Sequence, residues 1–107
     1  MVILDTNIII DHIRLPKKSY SHFVKIVRLK REETFALSVI TIQELYIGQS
    51  SKDAEKERDI LEIIRVLQLL PYTYEVAQFT GEIIRETKNL VSFADAAIAS
   101  TAIINDC

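Results

Sequence analysis

The sequence is short of the residues that break or staple a chain. Among 107 residues there are two Gly, two Pro, one Cys and no Trp, and aromatic residues make up 7%. Two Gly and two Pro exclude collagen-like repeats, Gly/Pro-rich linkers and low-complexity disorder. A single Cys, Cys107, excludes a disulfide framework and a multi-cysteine zinc site, and reads as a spare thiol. No apolar run approaches the roughly 20 residues needed to cross a bilayer, and no basic stretch leads into an apolar signal segment. What is present is a chain that is 49% apolar and 26% charged, enough to bury one core in one domain. The expectation is a cytoplasmic protein with no membrane segment.

Net charge is −2 but unevenly placed. Residues 12–31 hold Arg14, Lys17, Lys18, Lys25, Arg28, Lys30 and Arg31 and no acid, whereas residues 32–107 hold thirteen acids and six bases. Such a basic block is either a footprint for a polyanion or a solvated helix face.

Val2-Ile3-Leu4 reads as a short buried strand closed by Asp5, followed by a short helix that ends near Pro16. Tyr20, Phe23, Val24 and Val27 recur at helical spacing, which predicts one amphipathic helix over residues 17–31. Residues 34–39, TFALSV, read as a second strand. Thr41-Ile42-Gln43-Glu44 matches a capping box and predicts a helix running to about Gly48. Ser50-Ser51-Lys52-Asp53 opens the next helix, with Ile60, Ile63, Ile64 and Leu67 as its buried stripe. Leu69 to Tyr72 is a third short strand that Pro71 ends or places at an edge. A helix from Tyr74 to about Lys88 presents Val76, Phe79, Thr80, Ile83, Ile84 and Thr87 on one face. Ala94 to Ile104 is the last helix. Strands alternating with helices predict a three-layer α/β domain with a small, mostly parallel sheet. Ile60, Ile63, Ile64, Leu67, Phe79 and Ile83 are then shared between the core and a dimer interface.

Sites in open α/β sheets form beyond the carboxyl ends of the strands. Asp5 ends the first strand, Glu44 follows the second, and Asp95 opens the last helix. Each taken alone suits a helix-capping role. Together they form an all-oxygen set suited to Mg²⁺ or Mn²⁺ rather than Zn²⁺. Two carboxylates about 4 Å apart repel by roughly 4 kcal/mol at an effective dielectric of 20, a cost that a bound cation removes.

The segments VILDTNIII, LSVITIQELYIG and FADAAIASTAI resemble, in order and spacing, the motifs of PIN-domain proteins, most of all the VapC-type toxins of toxin–antitoxin pairs. The resemblance covers essentially the whole chain. It implies a PIN-like fold and an Mg²⁺- or Mn²⁺-dependent endoribonuclease, with Asp5, Glu44 and Asp95 as catalytic and metal-holding acids. It also implies that Asn7 orients the first carboxylate and that Ser38, with Thr41 close by, lies near the metal. A cognate antitoxin and a homodimer are the implied partners, and RNA the substrate, with Lys25 and Arg28 on the basic helix as candidate RNA contacts. The family pattern continues into a further strand bearing a Thr-x-Asn type motif. The expectation is a single domain over residues 1–107 lacking that strand. SFADAAIA also lacks the Ile-Pro that commonly precedes the third acid.

Other residues have plainer readings. His12 and His22 read as surface histidines, and Tyr46 as packing on a neighbouring helix. Asp11 points to solvent or to Arg14, while Arg85 and Lys88 pair with Glu82 and Glu86 on their own helix. Two further functions compete with the nuclease. One is a catalytically impaired module that binds RNA or an antitoxin without cleavage. The other is a receiver-type signalling domain, against which stand the lack of a paired acid after the first strand and of a late Lys.

Overall fold

The computed structural model describes residues 1–48 and 52–107; the proposed helix start at Ser50 and Ser51 lies outside them. Three parallel strands stand in the order β1 (Val2–Ile3), β2 (Phe35–Ser38), β3 (Gln68–Leu70). Val2 pairs with Phe35, and Ser38 pairs with Leu70. The helices of the described residues are α1 (Thr6–Arg14), α2 (His22–Leu29), α3 (Val39–Ile47), α4 (Ala54–Val66), α5 (Tyr74–Glu86) and α6 (Phe93–Ile104), with a 3₁₀ turn over Lys18–Tyr20. This is the expected small parallel sheet flanked by helices.

β2 shows why both faces are covered. All four of its residues are buried. Phe35 and Leu37 join Leu4, Ile9, Ile13, Phe23, Leu45, Ile60, Ile63 and Leu67 in one core. Alternation turns Ala36 and Ser38 to the opposite face, where α6 packs on β1 and β2. Ala36, Ala96 and Ala97 are wholly buried there, so small residues let helix and sheet approach closely. α5 packs against α6, and its buried residues are Val76 and Thr80. Ile60, Ile63 and Leu67 belong to the core, while Ile64, Phe79 and Ile83 are half-buried.

The basic segment is not one helix. The 3₁₀ turn stops at Ser21, whose buried hydroxyl accepts from Val24 N at 3.2 Å and starts α2. Asp11 Oδ2 accepts from His22 N at 2.9 Å. Asp11, half-buried and beside Arg14 at the rim of one hollow, thus also completes the next helix's N-terminus. Tyr20 lies outside the buried stripe, at 63% exposed. The carbonyl of Ile13, in the last turn of α1, accepts from Lys18 Nζ at 2.6 Å and from Lys56 Nζ at 2.8 Å. Two ammonium groups thus meet the negative end of that helix.

The capping box at Thr41 does not form. β2 passes into α3 with no intervening loop, and Ser38 is the cap, its hydroxyl accepting from Ile40 N at 3.1 Å. Thr41 and Glu44 sit inside the helix, with Glu44 in its second turn.

Candidate functional site

β1 ends at Ile3 and α1 begins at Thr6, so Asp5 sits at the carboxyl edge of the sheet. Asp5 is the N-cap residue of α1, yet its carboxylate makes no capping hydrogen bond and is exposed. The capping role that would have explained it structurally is therefore absent. Its neighbour Thr6 is the buried one, at 6% exposed. The Thr6 hydroxyl donates to Glu44 Oε1 at 2.5 Å, and Thr41 Oγ1 lies 3.1 Å from the same Thr6 oxygen. A hydroxyl carries one proton. With that proton given to Glu44, the Thr6 oxygen accepts from Thr41, and the three groups form a chain from Thr41 through Thr6 to the carboxylate. Thr41 is fully buried and Glu44 half-buried.

Asp95 is the third residue of α6. Its backbone N donates to the Ser92 hydroxyl, the N-cap, at 3.2 Å. The Asp95 side chain is exposed and complements the positive end of the helix. α6 packs against α3, β1 and β2, so the elements bearing Asp5, Glu44 and Asp95 adjoin one another. Among the described residues, however, no three His, Cys, Asp or Glu side chains are gathered closely enough to hold a metal ion. The donor set itself, oxygen only and anionic, suits a hard divalent cation.

The supporting residues divide. Ser38 is fully buried and its hydroxyl caps α3. Asn7 is exposed and borders a shallow hollow with Ile10, Asp11, Arg14 and Leu15. A second hollow, of about 200 Å³, is lined by Ile10, Ile13, Leu45 and Ile60, with Glu44 and Arg14 among its polar groups. Arg14 borders both. Sequence reasoning missed it as a site residue because it lies in the same basic run as six others. Thr6 was also missed: 38 residues separate it from Glu44, and no spacing rule links them. Lys25 and Arg28 are exposed on α2. Arg28 shares a hollow with residues 29–33. There Glu33 pairs with the Met1 ammonium at 3.3 Å, which places that hollow at the amino end of the sheet, opposite Asp5.

His12 is not a surface histidine. It is half-buried, its Nδ1 lies 2.8 Å from Ser21 Oγ, and its ring meets Phe23 edge to face at 5.2 Å. Burial pushes its pKa below 6.5, the Lys18 ammonium lowers it further, and Asp59 and Asp11 oppose both. Ser21 Oγ already accepts from Val24, so its proton is left for the imidazole's Nδ1, which suits the neutral ring. His22 is exposed. Tyr46 reaches α4, its hydroxyl donating to Glu57 Oε1 at 3.1 Å. Arg85 pairs with Glu86 at 3.3 Å.

A sequence model described as the PIN domain matches residues 2–107, and the chain belongs to that family. Solved structures agree. VapBC2 from Rickettsia felis, bound to a DNA fragment from its promoter, is similar at a TM-score of 0.80 and 24% identity, over 100% of this chain and 84% of that one. DNA-bound VapBC from Salmonella typhimurium matches at 0.70 and 28%, over 95% and 80%. FitAcB from Neisseria gonorrhoeae matches at 0.69 and 25%, over 99% and 83%. No curated protein matches significantly.

Proposed function

We propose that this protein is the toxin of a toxin–antitoxin pair, an endoribonuclease that hydrolyses RNA phosphodiester bonds with the help of Mg²⁺ or Mn²⁺. The observation that carries the reading is the bond from Thr6 to Glu44. It ties the segment bearing Asp5 to the segment bearing the second acid, at the edge of the sheet where sites form. Family membership supports a nuclease, and the VapBC complexes among the structural relatives support an antitoxin partner.

Asp5, Glu44 and Asp95 would hold the ion. When bound, a hard divalent ion activates water and offsets charge on phosphoryl oxygens. The remaining work falls to the chain. Asn7, two residues after Asp5, would orient that carboxylate. Arg14, an exposed guanidinium beside the hollow that Glu44 lines, would receive an RNA phosphate. Lys25 and Arg28 would meet the RNA backbone farther along, as flanking contacts that fix position without reading sequence. No helix among the described residues is long and apolar enough to cross a membrane; the cytoplasmic setting is part of the proposal. Exposed Ile47 on α3, with Leu61 and Val66 on α4, supplies apolar surface for the proposed homodimer.

The competing reading is a PIN module that binds RNA or an antitoxin without cleaving. It draws on the lack of a gathered three-carboxylate cluster among the described residues. One assay separates the two. RNA is incubated with the protein in Mn²⁺, Mg²⁺ or chelator, with Asp5→Asn beside it. Cleavage that needs the metal and is lost in Asp5→Asn supports the enzyme. Metal-independent cleavage, cleavage that survives Asp5→Asn, or no cleavage refutes it.

A further inference from the structure

We propose that Thr6 is a positioning residue for Glu44, and that Thr41 acts on the same carboxylate only through Thr6. The inference rests on the reading of Glu44 as a metal-holding acid, but its geometric half stands without it. Three observations carry it.

The first is burial. Thr6 and Thr41 are 6% and 0% exposed, so neither hydroxyl can exchange its partner for bulk water. The second is proton arithmetic. The two hydroxyl protons serve two bonds, Thr41 to Thr6 and Thr6 to Glu44, with no donor left over. The third is place. Thr6 is the first residue of α1 and directly follows Asp5, while Thr41 and Glu44 are three apart on α3 and share a face. One hydroxyl therefore joins α1 to α3 and holds one carboxylate at a fixed offset from another's backbone. Glu44 alone among the three acids is held in this way. Asp5 and Asp95 are exposed and would adjust to an ion, whereas Glu44 supplies the reference point.

A charge-assisted bond of this kind is roughly twice as strong as a neutral one. Groups that orient a metal ligand typically contribute about 10–100-fold in metal affinity when removed. Thr6→Val keeps the shape and deletes the donor. Thr6→Ser keeps the donor.

The test has two arms on the intact chain. The first is a double-mutant cycle in urea unfolding with Thr6→Val, Glu44→Met and the pair. The expected coupling is at least about tenfold in the unfolding constant, as for hydrogen bonds to charged groups. Additive effects overturn the proposal. The second arm titrates Mn²⁺ alone and follows the free-ion signal. Thr6→Val is expected to weaken Mn²⁺ binding about 10–100-fold, with Thr6→Ser restoring it and Thr41→Val adding nothing once Thr6 is Val. Equal Mn²⁺ affinity in the wild type and Thr6→Val overturns the proposal. A wild type that binds no Mn²⁺ while the cycle shows coupling refutes the metal-dependent function and leaves Thr6 as the group that holds Glu44.

Discussion

Two core truncations that remove the same number of carbons should differ sharply in cost. Leu37 lies at the centre of the sheet, 0% exposed, and borders none of the hollows described above; Ile60 on α4 is 1% exposed but forms part of the wall of the 200 Å³ hollow beside Glu44. Truncation of either to Ala removes three carbons, a transfer cost of about 2.4 kcal/mol at ~0.8 kcal/mol each. At Leu37 the void is closed on all sides, and a space the size of the lost atoms adds about 2 kcal/mol. Ala is also a poorer strand residue than Leu. Leu37→Ala should therefore cost about 4–5 kcal/mol, near the top of the measured range. At Ile60 the void opens into an existing hollow, so little sealed volume is added. Ala is also the better helix former by about 0.4 kcal/mol. Ile60→Ala should cost about 2 kcal/mol. Urea unfolding followed by far-ultraviolet circular dichroism measures both, and equal slopes license the comparison. A domain of this size has about 5–15 kcal/mol in hand, so the milder pair Leu37→Val and Ile60→Val serves if Leu37→Ala does not fold. Equal costs, or a larger cost at Ile60, would refute the assignment of one site as sealed and the other as vented.

Two further outcomes are expected. His12 has its pKa lowered in the folded state by burial and by Lys18, so the unfolded chain binds the proton more tightly; stability should be full above pH 6.5 and fall as pH drops through the window below it. His12→Gln should flatten that part of the stability–pH curve, and an unchanged slope would show that other groups set it. Lys25→Gln and Arg28→Gln should each weaken RNA binding about equally across sequences and reduce the salt slope by about 1; an unaltered slope would return α2 to an ordinary solvated face.

Periodicity made the architecture legible where the signal was local. The Ile60, Ile63 and Leu67 stripe and the last helix stand as expected, and the third strand is there but runs over Gln68–Leu70, stopping before Pro71 rather than reaching Tyr72. Misreadings arose where a distant partner decides the local structure. Residues 17–31 carry a continuous helical pattern, yet Ser21 caps α2 and Asp11, eleven residues before His22, accepts from its first N–H. Thr41-x-x-Glu44 has the local form of a capping box, but pairing of β2 with β3 through Ser38 keeps the strand extended until Val39 and moves the cap to Ser38. The acids of the candidate site were visible because Asp5 ends an apolar run and Asp95 opens a helix. The hydroxyls that hold Glu44 were not, since their link spans 35 and 38 residues of chain.

The direct passage from β2 into α3 also bears on how this chain can vary over evolutionary time. Each helical residue advances the side-chain direction by about 100° and the axis by about 1.5 Å. With Ser38 paired to Leu70 on one side and capping Ile40 on the other, no slack exists to absorb a change in length. One residue inserted or deleted between Ser38 and Glu44 would turn the Glu44 carboxylate about a quarter of the way round the helix, away from Thr6. The sheet register thus acts as an angular origin for the site. This junction should accept substitutions while refusing insertions and deletions, the reverse of the tolerance expected for exposed connecting loops.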